Sequence, residues 1–248
     1  GSEMCIRDSD NGELLEDSIP GVTGNMAWAS DNRTLFYSRQ DPSTLRSYQI
    51  YRHALGTETA EDRLVYEETD ETFSAYVFKT KSKKYLMIAC HQTLSSEYRF
   101  LEADNPEGEF KIIQPRERGH EYSADHFGDK FYIRTNYRAK NFRLMATPVA
   151  QTEKEHWQEV IGHRDEVFLQ SFEIFADYLV LQERRRGLIN LRIIPWADGE
   201  EYYLDFGEPA YLAYISINPE FDTPLLRYGY TSLTTPNSIY DFNMATRE

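Results

Sequence analysis

Residues 34–68 read "TLFYSRQDPSTLRSYQIYRHALGTETAEDRLVYEE", and this stretch decides the fold class. Apolar and polar residues alternate in three short runs, "TLFYSR", "YQIYRH" and "RLVYEE", which is the period of a β-strand with one buried face. The runs are separated by turn residues such as Asp41 and Pro42. Asp and Pro are typical of chain reversals between strands. The stretch therefore predicts three consecutive strands.

The same arrangement recurs along the chain. Further sets begin at "YLMIACH" (85–91), "KFYIRTN" (130–136), "YLVLQER" (178–184) and "LLRYGYT" (225–231), so the second strand of each set returns about every 45 to 50 residues. A short apolar segment precedes each set: "MAWAS", "FSAYVFK", "YSADHF", "SFEIFADY" and "AYISINP". Four antiparallel strands per repeat of this length are typical of a β-propeller blade.

The repeats indicate an all-β, open and partial β-propeller. A stub at "NGELLEDSIPG" is followed by about four complete blades and a last unit that ends after its third strand. A β-sandwich is the second choice, because it would show turns every 8 to 12 residues without this longer repeat. Residues 1–9 show neither strand nor helix periodicity and are interpreted as an artefactual or disordered segment, with Gly1 and Ser2 as a cloning scar. The propeller domain is predicted over residues 10–248.

Composition limits the classes of partner. The 41 acidic and 27 basic side chains give a formal charge of −14, which repels phosphate backbones, so we expect no nucleic-acid partner. No run of eighteen apolar residues occurs, so we expect no membrane span. Cys5 and Cys90 do not form a disulfide framework, and the N-terminus lacks a signal-like region. A cytoplasmic location is expected, and a periplasmic one stays open.

The search for catalytic motifs is negative. The chain has no Gly-x-Ser-x-Gly turn, P-loop or dinucleotide fingerprint. The most ligand-like cluster is "HEYSADH", with His120, Glu121, Asp125 and His126, but its spacing is not that of a helical zinc motif. We interpret these residues as polar positions at the opening of a blade. His53, His91, His156 and His163 are scattered. No catalytic, cofactor or metal-binding residue is therefore predicted.

A second charged motif is "ERRRG", from Glu183 to Gly187. Its place between the second and third strands of a blade favours a solvated hairpin turn. The alternative is an inter-domain salt-bridge site, since arginine side chains suit bidentate pairing with carboxylates. Both interpretations stay open on sequence alone.

Several stretches together resemble one family. These are "GNMAWASDNRTLFYSRQDPSTLRSYQIYRHALGT", "LVYEETDETF", "HEYSADHFGDKFYIRTN", "AKNF", "ERRRGL" and "LLRYGYTSLTTPNSIYDF". They are similar to the N-terminal propeller of oligopeptidase B, in the prolyl oligopeptidase family of serine peptidases (peptidase S9A). The similarity runs from about Asn11 to the end, and Tyr228–Pro236 is its most specific part.

The resemblance implies a seven-bladed propeller that caps an α/β-hydrolase domain and admits short peptides, which are cut after Arg or Lys. About five of the seven blades are then present, so the chain resembles a propeller truncated at both ends. In the family the Ser, Asp and His of the catalytic triad lie in the hydrolase domain, so none transfers to this chain, which is predicted to be inactive alone. The implied partners are that hydrolase domain and short basic peptides. The alternative function is a free-standing propeller that binds other proteins.

The blade assignment also predicts a set of largely buried side chains, because apolar faces of adjacent blades must pack together. These are Trp28, Phe36, Tyr76, Leu86, Phe131, Phe172, Leu179, Tyr214 and Leu226.

Overall fold

The computed structural model of the chain describes residues 3–7 and 10–248. Within these residues 21 strands form six antiparallel sheets, with single 3-10 turns at Thr59–Glu61 and Lys154–His156. The described residues include no helix with the length and hydropathy that a membrane span requires. The chain divides into two compact units, residues 1–121 with 152–154 and residues 122–151 with 155–248.

The first unit contains a two-stranded sheet and two four-stranded sheets. Their strands are β1 (Glu3–Arg7) and β2 (Leu14–Pro20); β3 (Val22–Trp28), β4 (Thr34–Gln40), β5 (Ser47–Ala54) and β6 (Arg63–Glu67); and β7 (Ser74–Lys79), β8 (Tyr85–Gln92), β9 (Ser95–Glu102) and β10 (Lys111–Gln114).

The second unit contains two four-stranded sheets and one three-stranded sheet. Their strands are β11 (Tyr122–Phe127), β12 (Lys130–Thr135), β13 (Arg143–Pro148) and β14 (Gln158–Ile161); β15 (Val167–Ile174), β16 (Tyr178–Arg185), β17 (Leu188–Pro195) and β18 (Tyr202–Tyr203); and β19 (Tyr211–Ile215), β20 (Leu225–Ser232) and β21 (Ser238–Asn243).

In every sheet the strands lie side by side in chain order. Each four-stranded sheet is therefore a meander in which a strand pairs with the next strand of the sequence, the arrangement of a propeller blade. The predicted all-β fold, the four-stranded repeat and the three-stranded last unit are confirmed. The stub predicted at "NGELLEDSIPG" contains β2.

The structure differs from the sequence analysis near the N-terminus. Residues 1–9 were set aside as lacking periodicity, but Glu3–Arg7 form β1 and pair with β2. Ile6 is buried with Ile19 and Tyr37 of the first unit. A strand this short is stabilised by pairing with β2 rather than by its own alternation of apolar and polar residues. The sequence of residues 3–7 alone therefore did not predict it. Residues 1, 2, 8 and 9 lie outside the described residues, so the cloning-scar interpretation stays a prediction.

The core of the first unit lies between its two four-stranded sheets. Small and branched apolar side chains from both sheets form one buried cluster: Ala27, Ala29, Phe36, Ile50, Ala75, Val77, Leu86, Ile88 and Cys90. Phe36 also meets the ring of Phe110 edge-on at 5.7 Å. The second unit has a corresponding core that includes Phe175, Leu179, Leu191 and Leu226. Each blade therefore hides its apolar face against a neighbour.

Most of the predicted core is confirmed. Phe36, Leu86, Phe131, Leu179 and Leu226 are buried, and Trp28, Phe172 and Tyr214 are half-buried. Tyr76 was predicted wrongly, since it is 40% exposed. Its neighbours Ala75 and Val77 are fully buried, because alternate residues of a strand point to opposite faces and β7 turns its smaller side chains inward.

We expect Phe131→Ala and Leu179→Ala each to lower the free energy of unfolding by about 2 to 5 kcal/mol, because each leaves a cavity in a close-packed core. Leu94→Ala is the matched control, since Leu94 is 59% exposed and should change stability by less than about 0.5 kcal/mol. Urea unfolding of the three variants measures this. Losses below about 0.5 kcal/mol for both core variants would contradict the blade packing.

Candidate functional site

The two histidines of the "HEYSADH" motif belong to different compact units. His120 is buried in the first unit, where its carbonyl accepts a hydrogen bond from the Ser96 N–H at 3.1 Å. Burial lowers the pKa of His120 to about 4, and the nearby charge of Lys154 acts in the same direction. His126 is buried on β11 of the second unit, against the ring of Phe131.

Asp125 of the motif and His91 make local hydrogen bonds. Asp125 accepts a hydrogen bond from the backbone N–H of His126 at 2.7 Å. His91 contacts the hydroxyl of Tyr98 at 3.0 Å, and burial lowers the pKa of its imidazole. Among the residues that the structure describes, no group of three or more His, Cys, Asp or Glu side chains is placed to hold a metal ion.

His53 lies at the centre of a buried polar cluster that the sequence did not reveal. Its Nδ1 is 2.7 Å from Oδ1 of Asp62, and its Nε2 is 3.1 Å from Oδ1 of Asp17. The His53 side chain is inaccessible to solvent. Asp17 lies on β2 and also accepts the Gly56 N–H at 2.7 Å. The cluster therefore fastens the two-stranded sheet to the neighbouring blade.

The carboxyl groups of this cluster are held by several donors. Asp62 also accepts the hydroxyl of Tyr37 at 2.7 Å, and burial followed by this bond raises the pKa of Tyr37. Burial alone would raise the pKa of Asp17, but its bonds from Gly56 and His53 lower it below the ordinary value. Asp17 and Asp62 are 36 and 9 positions from His53 in the chain, so no local sequence motif predicts the cluster.

A second buried ionic cluster joins the two four-stranded sheets of the first unit. Arg116, which follows β10, donates to Glu68 at 2.6 Å and lies 3.5 Å from Glu97 of β9. Its guanidinium carbon is 4.0 Å from the ring centre of Phe73. Burial alone would raise the pKa of Glu68, but bonds from Arg116, the Asp70 N–H and Tyr66 lower it below the ordinary value.

In the "ERRRG" motif the glutamate is buried and the three arginines are exposed. Arg186 and Gly187 have φ of 51° and 87° and form the two-residue loop between β16 and β17, so glycine suits a backbone conformation that L side chains rarely adopt. The side chains of Arg184, Arg185 and Arg186 are exposed, which agrees with a solvated hairpin.

Glu183, the first residue of the motif, is instead 1% exposed. It accepts hydrogen bonds from Arg164 and, at 2.9 Å, from the Tyr203 hydroxyl, and it lies 3.5 Å from Arg192. All these residues belong to the second unit. Glu183 therefore forms an ion cluster inside its own unit, which neither interpretation of the motif anticipated.

The stretch Tyr228–Pro236 comprises the end of β20 and most of the loop that follows it. The ring of Tyr214 lies over Gly229, where a Cβ atom would come within 2.1 Å of the ring, so only glycine fits without moving it. Glu208 accepts hydrogen bonds from the hydroxyls of Tyr230 and Ser232, each at 2.9 Å, and these bonds lower its pKa. The ring of Tyr214 and the carboxylate of Glu208 thus hold this stretch in place.

The last sheet also exposes apolar side chains. Leu233 at the loop is 95% exposed, and Leu212, Leu225 and Ile239 are exposed on one face of the sheet. On the opposite face Leu226 packs in the core with Met244, and the ring of Tyr240 stacks on Tyr228. The exposed face is better suited to contact with another protein surface than to chemistry.

The profile of the family described as "Prolyl oligopeptidase, N-terminal beta-propeller domain" matches residues 2–248. The chain belongs to this family. Dipeptidyl aminopeptidase BI of Pseudoxanthomonas mexicana is 42% identical to the propeller domain over 98% of the chain and 34% of the relative. Protease 2 of Moraxella lacunata is 30% identical over 99% of the chain and 35% of the relative. The propeller domain thus spans about a third of the length of these curated relatives.

Solved structures agree with the fold. Oligopeptidase B from Leishmania major superposes on 97% of the propeller domain with a TM-score of 0.86 and 28% identity, and the match covers 35% of that protein. Oligopeptidase B from Trypanosoma brucei gives a TM-score of 0.87 and 26% identity over 94% of the propeller domain and 34% of that protein. These likenesses support the blade assignment and the family.

We expect His53→Ala to lower the free energy of unfolding by about 3 to 5 kcal/mol, because it leaves the carboxylates of Asp17 and Asp62 without their shared partner in a buried place. His156→Ala is the control, since His156 is exposed and should change stability little. Chemical unfolding at pH 7 compares the two. Equal effects of the two substitutions would show that the cluster contributes nothing.

The lowered pKa of Glu68 predicts a pH dependence. A carboxyl group whose pKa is lower in the folded state stabilises the fold above its unfolded value, which is ordinarily 4.5, and loses that contribution as the pH falls through the folded value. Glu68→Gln should therefore be less stable than the parent at pH 7 by about 1.5 to 3 kcal/mol, and the difference should shrink below about pH 4.

Glu67→Gln provides the control for Glu68→Gln, because Glu67 is the exposed neighbour. Its difference from the parent should stay near zero at both pH values, as measured by urea unfolding. A Glu68→Gln difference that is the same at pH 7 and pH 3.5 would rule out the proposed ionic contribution.

Proposed function

We propose that this chain is the non-catalytic, substrate-gating propeller of a serine peptidase that hydrolyses short peptides. The observation that carries the proposal is the family match over residues 2–248, together with relatives named as peptidases that are about three times as long. A ring of blades beside an active site restricts entry by size, so its role is to select substrates rather than to react with them. Catalysis is assigned to an α/β-hydrolase part of the same protein.

The surface of the last sheet supports a packing partner. Two of its exposed apolar residues, Leu212 and Ile239, lie at the strand ends beside the loop that Glu208 holds in place. A preorganised loop that presents Leu233 loses little conformational entropy when it is covered. We assign this face to contact with the rest of the peptidase.

Two substrate classes follow from different relatives. The sequence resemblance to oligopeptidase B implies cleavage of short peptides after Arg or Lys, and the structural likeness to proteins of that name supports this class. The name of the 42% identical relative, a dipeptidyl aminopeptidase, supports release of dipeptides from free N-termini. A reporter with a blocked N-terminus and Arg before the cleaved bond reports the first class, and an unblocked dipeptide reporter reports the second.

We expect the 248-residue chain alone to cleave neither reporter, since no nucleophile motif occurs in it. The measurement is fluorescence release by purified chain with and without a serine-directed covalent inhibitor. Turnover that the inhibitor abolishes, in protein free of other proteases, would contradict the assignment.

Gating is tested by adding the chain to the separately produced hydrolase part of the Pseudoxanthomonas mexicana relative. The expected result is a selective loss of cleavage of long peptides, with short reporters cleaved as before. An unchanged ratio of long to short substrates would refute gating and favour the alternative, a free-standing propeller that binds other proteins.

A further inference from the structure

An open cleft of about 510 Å³ lies in the first unit, and all the residues that line it belong to that unit. It is bounded by the edge strand β6 and by the loop between β9 and β10. Three arginines line it, Arg52, Arg63 and Arg99, together with the rings of Tyr66 and Phe110. A cleft lined by arginine and aromatic side chains is typical of a binding site rather than of a packed core.

The arginines come from two sheets. Arg52 on β5 and Arg63 on β6 are directly opposite each other, so both side chains lie on the same face of their sheet. Like charges in this position destabilise a strand pair. Arg99 reaches the cleft from β9 of the adjacent sheet. The charge of Arg52 is compensated by Glu107, so the charge without a partner in this pair is that of Arg63.

The three guanidinium groups differ in what they already bind. Arg52 is used by the protein, since it donates to the Pro106 carbonyl at 2.8 Å and to Glu107 at 2.7 Å. Arg63 is exposed, and its side chain makes no hydrogen bond or ion pair with any residue in 3–7 or 10–248. Its five donors are therefore available to a ligand.

The Arg99 side chain is held in place by two contacts, but one of its hydrogen-bond donors has no partner among the described residues. Its Nη2 donates to Glu97 at 2.9 Å, and its guanidinium carbon is 4.8 Å from the ring centre of Tyr66. Its Nε is buried and has no partner among the described residues. The Tyr66 hydroxyl is fixed in turn by Glu68 at 2.9 Å. Arg99 is thus a rigid donor at the wall of the cleft.

Two of the three arginines that line the cleft are already ion-paired, Arg52 with Glu107 and Arg99 with Glu97. Arg63 is the arginine of the cleft whose side chain has no ion-pair partner among the described residues, so its charge is available to an anion. Arginine recognises planar or tetrahedral oxyanions through paired hydrogen bonds.

We propose that this cleft binds an oxyanion ligand, a carboxylate or a phosphate, between Arg63 and Arg99. Tyr66 and Phe110 flank the anion and limit its access to water. The site lies outside the gating role and does not depend on it.

Isothermal titration of the intact chain tests the proposal with three probes at matched ionic strength: inorganic phosphate, citrate and chloride. Saturable binding is expected for phosphate, citrate or both, and none for chloride. Binding of phosphate alone identifies a phosphate site, and binding of citrate alone identifies a carboxylate site.

Arg63→Ala should weaken binding about tenfold, the effect of losing one charge-assisted hydrogen bond. Because Arg63 is exposed, the substitution should leave the fold intact, as a thermal unfolding curve can verify. Arg185→Ala removes an equally exposed arginine from the second unit and should leave affinity unchanged. Absence of saturable binding, or equal weakening by both substitutions, would overturn the proposal.

Discussion

A four-stranded meander of this kind cannot bury its apolar side chains by itself. In the first unit the inner faces of two such sheets meet through Phe36, Ile50, Val77 and Leu86, all of which are fully buried. Each blade therefore depends on a neighbour for most of its hydrophobic stabilisation, and the register of each strand is fixed by which side chains the neighbour can accept. The positions of the loops and of the polar clusters follow from this packing.

Three buried clusters of polar and charged side chains are built into that packing. They centre on His53, Glu68 and Glu183, and each joins strands or loops that are distant in sequence. Removing charges from water costs free energy, which is recovered only when several donors and acceptors meet with good geometry. Such clusters add little stability over apolar packing, but they discriminate strongly against a shifted register, because a shift would leave a buried charge without its partner. They have a structural role here.

The proposed function gives the propeller a role that is separate from catalysis. The family to which the chain belongs is defined by a propeller, and the curated relatives extend well beyond it. A rigid scaffold of blades is suited to presenting loops and faces to other parts of a protein. The exposed apolar face of the last sheet and the arginine-lined cleft of the first unit are two such surfaces, with different chemistry and in different units.

The sequence by itself determined the fold class, because strand periodicity and a repeat of four strands are local properties of the chain. It favoured a hairpin within Glu183–Gly187 and predicted most of the core for the same reason. Only the tertiary structure decided that Ala75 rather than Tyr76 faces inward, that Glu3–Arg7 form a strand, and that Glu183 is buried. It alone joined His53 to Asp17 and Asp62, and Arg63 to Arg99 across one cleft. Such contacts depend on which sheets lie side by side, and the alternation within a single strand carries no information about its neighbour.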